Sequence, residues 1–155
     1  MLEIWGRKNS SNVQALMWCV AELGLPHKRH DVGHKFGGND TPEFLAMNPN
    51  GTVPVLREDD GAPLFETGAI LRYLANRHGA APFWPPEPSA RAQIDMWAEW
   101  AKINIAALFT APVFWRVVRP GAARSRGDRQ RPGRARAQAR HCRGAARTPF
   151  LARGR

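Results

Sequence analysis

The chain of 155 residues predicts an α/β domain, then the opening of an all-helical segment, then an Arg-rich tail. Three observations carry this. Strand-like and helix-like stretches over the first 79 residues alternate in the order β-α-β-α-β-β-α. A proline-rich break from Gly79 to Pro88 separates them from a long amphipathic stretch. At Pro120 the composition changes to Arg, Ala, Gly and Pro with almost no apolar side chains. A chain of this length buries a core and makes one domain or two small ones.

Leu2 and Ile4 mark the opening strand, and Gly6 to Ser11 reads as a polar loop. Val13, Leu16, Met17, Val20 and Leu23 follow the i, i+3, i+4, i+7 rule, which predicts a helix from Ser11 or Asn12 with one apolar face. Gly24 and Pro26 end it. His27 to Val32 reads as a polar edge strand, and the glycines of Gly33 to Asn39 as a loop. Thr41-Pro42-Glu43 has the form of an N-cap, a proline at the first helical position and an acid in the first turn, so a short helix reaches Met47.

The most informative stretch is Asn48 to Tyr73, NPNGTVPVLREDDGAPLFETGAILRY. A turn at Asn48-Pro49-Asn50-Gly51 leads into Val53-Pro54-Val55-Leu56. The turn Asp59-Asp60-Gly61 leads into a second strand, Pro63-Leu64-Phe65, which runs into Glu66-Thr67 and a helix to His78, closed by Gly79. A proline within a strand removes a ladder donor and needs a structural reason. An acid and a hydroxyl at a helix start make an anion site with a counter-charge beside it. Together they suit a small zwitterionic ligand.

After the break, Ser89 is the expected cap of a long helix. Ile94, Trp97, Ala101, Ile105, Leu108 and Phe109 form its stripe, Trp100 widens it, and Pro112 ends or kinks it. Phe114 and Trp115 close the amphipathic region. Up to Arg119 the chain carries twelve basic and twelve acidic side chains, so it is neutral; the remainder holds eleven arginines and one aspartate and carries the whole net charge of +10. Such a tail cannot offset its ordering entropy and is expected to be disordered. Arg, Ala, Gly and Pro have GC-rich codons, which gives a second expectation, translation out of frame.

Cys19 and Cys142 are far apart and no CxxC pair occurs, so neither a dithiol centre nor a zinc site is expected. Cys19 reads as a small buried side chain, and the five histidines show no metal spacing. The first residues lack the apolar run of a signal peptide, and no stretch is long enough to span a membrane. A reducing cytoplasmic location is expected.

The residues Asn48-Pro49, Gly51, Val53-Pro54, Leu56, Asp60-Gly61, Leu64, Glu66-Thr67, Ala69-Ile70 and Tyr73-Leu74 resemble the cytosolic glutathione S-transferase family, in its bacterial, serine-type, theta/zeta-like form. The likeness is strong over the first 80 residues, moderate to Arg119 and mostly lost beyond. It implies a thioredoxin-like glutathione-binding domain over 1–79, a linker over 80–88, an incomplete all-α domain from 89 to 119, and the tail over 120–155. Where the family usually has Glu-Ser, this chain has Glu66-Thr67, which keeps the hydroxyl on a stiffer side chain. Pro149-Phe150-Leu151-Ala152 resembles a short element of the family's helical domain, at about the expected distance from Phe114-Trp115.

The resemblance also implies the chemistry. A hydroxyl between the first strand and the first helix would donate to the glutathione sulfur and favour the thiolate. Ser10 is the first candidate and Ser11 the second; Asn12 is the third, since some bacterial members use an asparagine. The alternative is that Ser11 or Asn12 only caps the helix. Thr67 and its N–H would face the γ-glutamyl carboxylate, with Glu66 near the ammonium. Val53 would pair with the cysteinyl part through its backbone, Pro54 would be cis, and Lys35 would meet the glycyl carboxylate or stay solvated. Trp84, Trp97, Trp100 and Trp115 read as packing residues that could also line an electrophile pocket.

The expected activity is conjugation of glutathione, a co-substrate, to a small hydrophobic electrophile, or reduction of a peroxide or disulfide, in a homodimer and without metal. A non-catalytic thioredoxin-like binding module is the alternative. A third reading takes the tail as an arm for nucleic acid or an anionic surface; it ranks last, because the tail lacks lysine and interleaved aromatics.

Overall fold

The computed structural model describes residues 1–106. The expected kink at Pro112, the aromatic pair Phe114-Trp115 and the tail lie outside them. Strand β1 (Leu2–Trp5) leads to helix α1 (Ser11–Glu22), strand β2 (His27–His30), a single 3-10 turn (His34–Phe36), helix α2 (Pro42–Met47), strand β3 (Val55–Glu58), helix α3 (Thr67–His78) and helix α4 (Pro88–Trp100), which continues as a π-helical turn over Ala101–Ala106.

The sheet has the order β2-β1-β3. β1 runs parallel to β2, with Trp5 opposite His30, and antiparallel to β3, with Trp5 opposite Val55. The expected first strand of the hairpin starts at Val55 rather than Val53, because Pro54 has no N–H to give a ladder. The expected second strand, Pro63 to Phe65, is reduced to one antiparallel bridge, Leu56 to Leu64, with N–H···O distances of 2.9 and 2.7 Å. Pro63 cannot extend it for the same reason.

Alternation along the strands sends Leu2, Ile4 and Leu56 to one face, where they meet Leu16, Cys19 and Val20 of α1 and Ile70 and Leu74 of α3. Each fully buried Leu or Ile contributes about 1.5–3 kcal/mol, so this layer fixes α1 and α3 against the sheet. The helix ends follow local chemistry. The Thr41 hydroxyl accepts from Phe44 N–H at 3.3 Å, as expected of an N-cap. Gly24 adopts a left-handed φ of 62° just past α1. α4 begins two residues earlier than expected: Glu87, not Ser89, is the N-cap, and Pro88 takes the first helical position.

Between α3 and α4, Trp84 is buried and donates from Nε1 to Asn76 Oδ1 at 2.9 Å. Arg72 reaches from α3 to Asp95 and Glu99 of α4, at 2.5 and 2.8 Å. None of the residues of α4 is buried among the described residues. No helix of these residues is long and apolar enough to cross a membrane.

Candidate functional site

The ends of β1 and β2, the start of β3 and the end of the Pro63–Phe65 segment meet along one edge of the sheet. Parallel pairing continues past β1: Gly6 N–H donates to His30 C=O at 2.8 Å, and Arg7 N–H to Val32 C=O at 3.1 Å. One step beyond the pair Trp5–Val55, Gly6 stands opposite Pro54. Extending the register of the Leu56–Leu64 bridge by two steps brings Pro54 level with Glu66. Gly6, Pro54 and Glu66 thus form a row across the edge. α1 and α3 both start here, each presenting first-turn N–H groups that have no partner within the helix. Crevices at the carboxyl ends of strands, faced by helix N-termini, are where α/β sheets bind anions.

Close packing holds Val53 and Pro54 in this row. A Cβ on Gly6 would stand 2.5 Å from Val13 Cγ2, 3.3 Å from Val53 Cβ and 3.6 Å from Pro54 Cα, so only glycine lets α1 and the Val53–Pro54 segment approach β1 together. The Val53–Pro54 bond is cis, as expected. The turn before it is built on buried Asn48, whose amide donates to Thr52 C=O at 2.8 Å and to Thr52 Oγ1 at 3.1 Å, while its Oδ1 accepts from Asn50 N–H at 3.0 Å. Asn39 donates to Gly51 C=O at 2.8 Å.

Ser10 is the N-cap residue of α1 and is only 6% exposed. Its C=O accepts from Gln14 N–H at 2.8 Å and its N–H donates to Arg7 C=O at 3.2 Å, but its hydroxyl makes no capping bond. Ser11 and Asn12 are exposed in the first turn, so neither is the cap. Glu66 is the exposed N-cap residue of α3, also without a side-chain capping bond, and Thr67 is half-buried as the first helical residue. Lys35 is exposed, with its ammonium 5.0 Å above the ring of Phe36.

The structure therefore brings Ser10, Val53, Pro54, Glu66 and Thr67 to one edge, with Ser11 and Asn12 at its margin. It does not fix Lys35 against them. Two residues of this edge read in the sequence only as loop residues. Gly33, buried and with a φ of 90°, lies 3.5 Å, from its would-be Cβ, to Val53 Cγ1. Arg7 is half-buried, and its Nη1 lies 3.4 Å from the same point. A strand ending in glycine before an Arg-Lys pair is the signal that could have drawn notice.

Cys19, buried in the core, has its thiol pKa pushed up by that burial, which fits a structural role. No group of three metal-ligating side chains occurs among the described residues. A separate, mainly apolar cavity of about 440 Å³ lies between α1, α3 and α4, lined by Trp18, Cys19, Leu71, Trp84 and Ile94 among others. It shares no residue with the row at the sheet edge. Of the expected packing tryptophans, Trp84 is buried, while Trp97 and Trp100 are exposed and meet edge to face with centroids 5.8 Å apart. Trp115 lies outside the described residues.

Residues 9–77 match the family described as glutathione S-transferase, N-terminal domain. The chain is 44% identical over 107 residues to glutathione S-transferase GstB of Escherichia coli (strain K12), covering 68% of this chain and 51% of that protein. It thus spans about half the length of this curated relative. The solved theta class glutathione S-transferase of Xanthomonas axonopodis pv. citri, with glutathione bound, is 40% identical, with a TM-score of 0.72 over 99% of this chain and 74% of that one. A shorter match, 39% over 69 residues, covering 44% of this chain and 16% of the other, is to elongation factor 1-gamma 2 of Oryza sativa subsp. japonica.

Proposed function

Because the chain belongs to the glutathione S-transferase family, we propose that its sheet edge binds glutathione, that Ser10 holds the sulfur as thiolate, and that this thiolate attacks a small hydrophobic electrophile. The observation that carries this reading is Ser10 itself: a buried serine at a helix N-terminus whose hydroxyl is not spent on capping the helix.

The chemistry follows from the placement. A free thiol titrates near 8.5, so a hydrogen bond to the sulfur and the positive end of α1 lower its pKa toward neutrality. The thiol proton leaves to solvent. The sulfur then forms a bond to the electrophilic carbon and the leaving group departs with its electron pair. Peroxide or disulfide reduction would use the same thiolate. Ser11 and Asn12 are the second and third candidates for the sulfur contact. Thr67, with the N–H groups of the first turn of α3, receives the γ-glutamyl carboxylate, and Glu66 pairs with the ammonium. Val53 offers its backbone to the cysteinyl part, exposed by Pro54. Lys35 would pair with the glycyl carboxylate.

In this reading residues 1–79 are the glutathione-binding domain, 80–88 a linker and 89–119 the opening of the helical domain that contributes to the electrophile side. Homodimer formation and action in a reducing cytoplasm belong to the same proposal. Retention on immobilised glutathione tests it. The parent chain is retained, and Glu66→Ala or Thr67→Ala weakens binding about 10–100-fold, the worth of a hydrogen bond to a charged group. A variant that elutes like the parent removes the γ-glutamyl assignment.

A non-catalytic binding module is the second reading. The match over 69 residues to elongation factor 1-gamma 2 favours it. Glutathione binding with no turnover of a generic aromatic halide electrophile would establish it in place of the transferase.

A further inference from the structure

We propose that the cavity between α1, α3 and α4 is a second ligand site, separate from the sheet edge, and that it takes a small lipophilic amine. Its volume of about 440 Å³ falls within the range of about 300–1,000 Å³ that holds small organic molecules. Helices α1 and α3 each give it one stripe at the i, i+3, i+4, i+7 spacing of a single helix face, over 15–22 and 68–75. Space is left because Ala15, Gly68 and Ala75 of those stripes are small.

The walls, with Trp18, Leu71, Phe83 and Trp84, suit an apolar body. The charge at the rim sets the head group. Among the described residues, the charged ones that line the cavity are Glu22, Arg72 and Asp95. Arg72 is already held by two carboxylates, Asp95 at 2.5 Å and Glu99 at 2.8 Å. Glu22 makes no ion pair among the described residues. The lining therefore carries one carboxylate more than it has cations. Arg91 stands 5.7 Å from the Trp84 ring centroid, but it donates to Pro85 C=O at 2.7 Å and is not a lining residue.

The spare carboxylate also sits beside an aromatic ring. Trp18 Nε1 donates to Glu22 Oε1 at 2.8 Å, which fixes the indole as a wall although Trp18 is 71% exposed. Trp18 stacks on no other ring among the described residues. A carboxylate next to a free aromatic face recognises an ammonium twice, as an ion pair and through the ring. An anion of the same shape meets the surplus negative charge, and a neutral molecule gains the apolar contact alone. Cys19, a buried free thiol, lies in the same lining and serves as a reporter of occupancy.

Titration calorimetry on the full chain tests this with phenylbutylamine, phenylbutanol and phenylbutyrate, which share one apolar body. The amine binds about 10-fold tighter than the alcohol, the combined worth of an exposed ion pair and a cation–π contact, and the acid binds weakest. Glu22→Gln brings the amine down to the alcohol, and Ala98→Trp, which fills the cavity from the exposed side of α4, abolishes binding of all three. In the parent, saturating amine slows the reaction of Cys19 with methyl methanethiosulfonate, read by mass on the Cys19 peptide, and glutathione does not displace the amine. A parent that binds the amine no tighter than the alcohol, or not at all, overturns the inference even if neither variant folds. So does a preference that survives in Glu22→Gln, a Cys19 reaction rate unchanged by the amine, or displacement by glutathione, which would place the amine at the sheet edge.

Discussion

Helices α1 and α4 carry the same kind of apolar stripe and meet different fates. In α1, Val13, Leu16 and Val20 are buried against the sheet, Leu16 completely. In α4, Ile94, Met96, Trp97 and Trp100 are all exposed, Trp97 by 62%. Periodicity in a sequence records that a helix has a partner, not where the partner is. For α1 the partner is β1, β3 and α3, all present among the described residues. Among the described residues the sheet edge is built by that packed half: the contacts of Gly6, Val53 and Asn48 all lie within the first 67 residues.

The comparison breaks if both stripes matter equally to folding. Leu16→Ala should cost about 2–5 kcal/mol, as for other large-to-small changes in a core. Ile94→Ala should cost less than about 1 kcal/mol, as for surface changes. Urea unfolding followed by tryptophan fluorescence measures both. Equal losses would mean that α4 is packed as tightly as α1.

Two glycine substitutions sharpen it by separating stability from the ligand edge. Gly6→Ala forces a Cβ against Val13 and Val53, costs about 1–3 kcal/mol through overpacking, and weakens glutathione retention because Val53 must move. Gly24→Ala meets nothing within 4 Å and costs about 1 kcal/mol for its left-handed φ, with retention unchanged. Retention that falls equally in both variants would contradict a local origin of the site.

The smallest effect concerns acid stability of the packed half. Burial raises the carboxyl pKa of Glu58, but the hydrogen bond from Tyr73 and the charges of His78 and Arg77 outweigh it, leaving the pKa below its ordinary value of 4.5. A depressed folded pKa stabilises the fold above the unfolded value, and that contribution disappears as pH falls through the folded one. Glu58→Gln should therefore lower the urea midpoint at pH 7 more than at pH 3. Equal losses at the two pH values would assign Glu58 a packing role only.

What was legible in the sequence was what depends on near neighbours. Leu16 and Val20 announced α1, Thr41-Pro42 fixed the start of α2, and Glu66-Thr67 marked the start of α3. Strand limits were less legible, because Pro54 and Pro63 read as strand residues by their apolar character while lacking the N–H that a ladder needs. The row Gly6–Pro54–Glu66 depends on registers between distant segments, and only the family resemblance brought Pro54 and Glu66 together beforehand. Arg7 was not legible at all: a loop arginine reads as solvated until the fold shows that it lies half-buried beside Gly33.

The claim on which the account turns is that Ser10 governs the ionisation of bound glutathione. Thiolate absorbance of the glutathione complex, followed against pH, tests it directly. Ser10→Ala should raise the apparent thiol pKa toward the free value near 8.5, with glutathione affinity nearly unchanged because the proposed remaining contacts are at Val53, Glu66 and Thr67. An unchanged titration in Ser10→Ala, with the shift appearing in Ser11→Ala or Asn12→Ala instead, would contradict the account and move the sulfur contact into the first turn of α1.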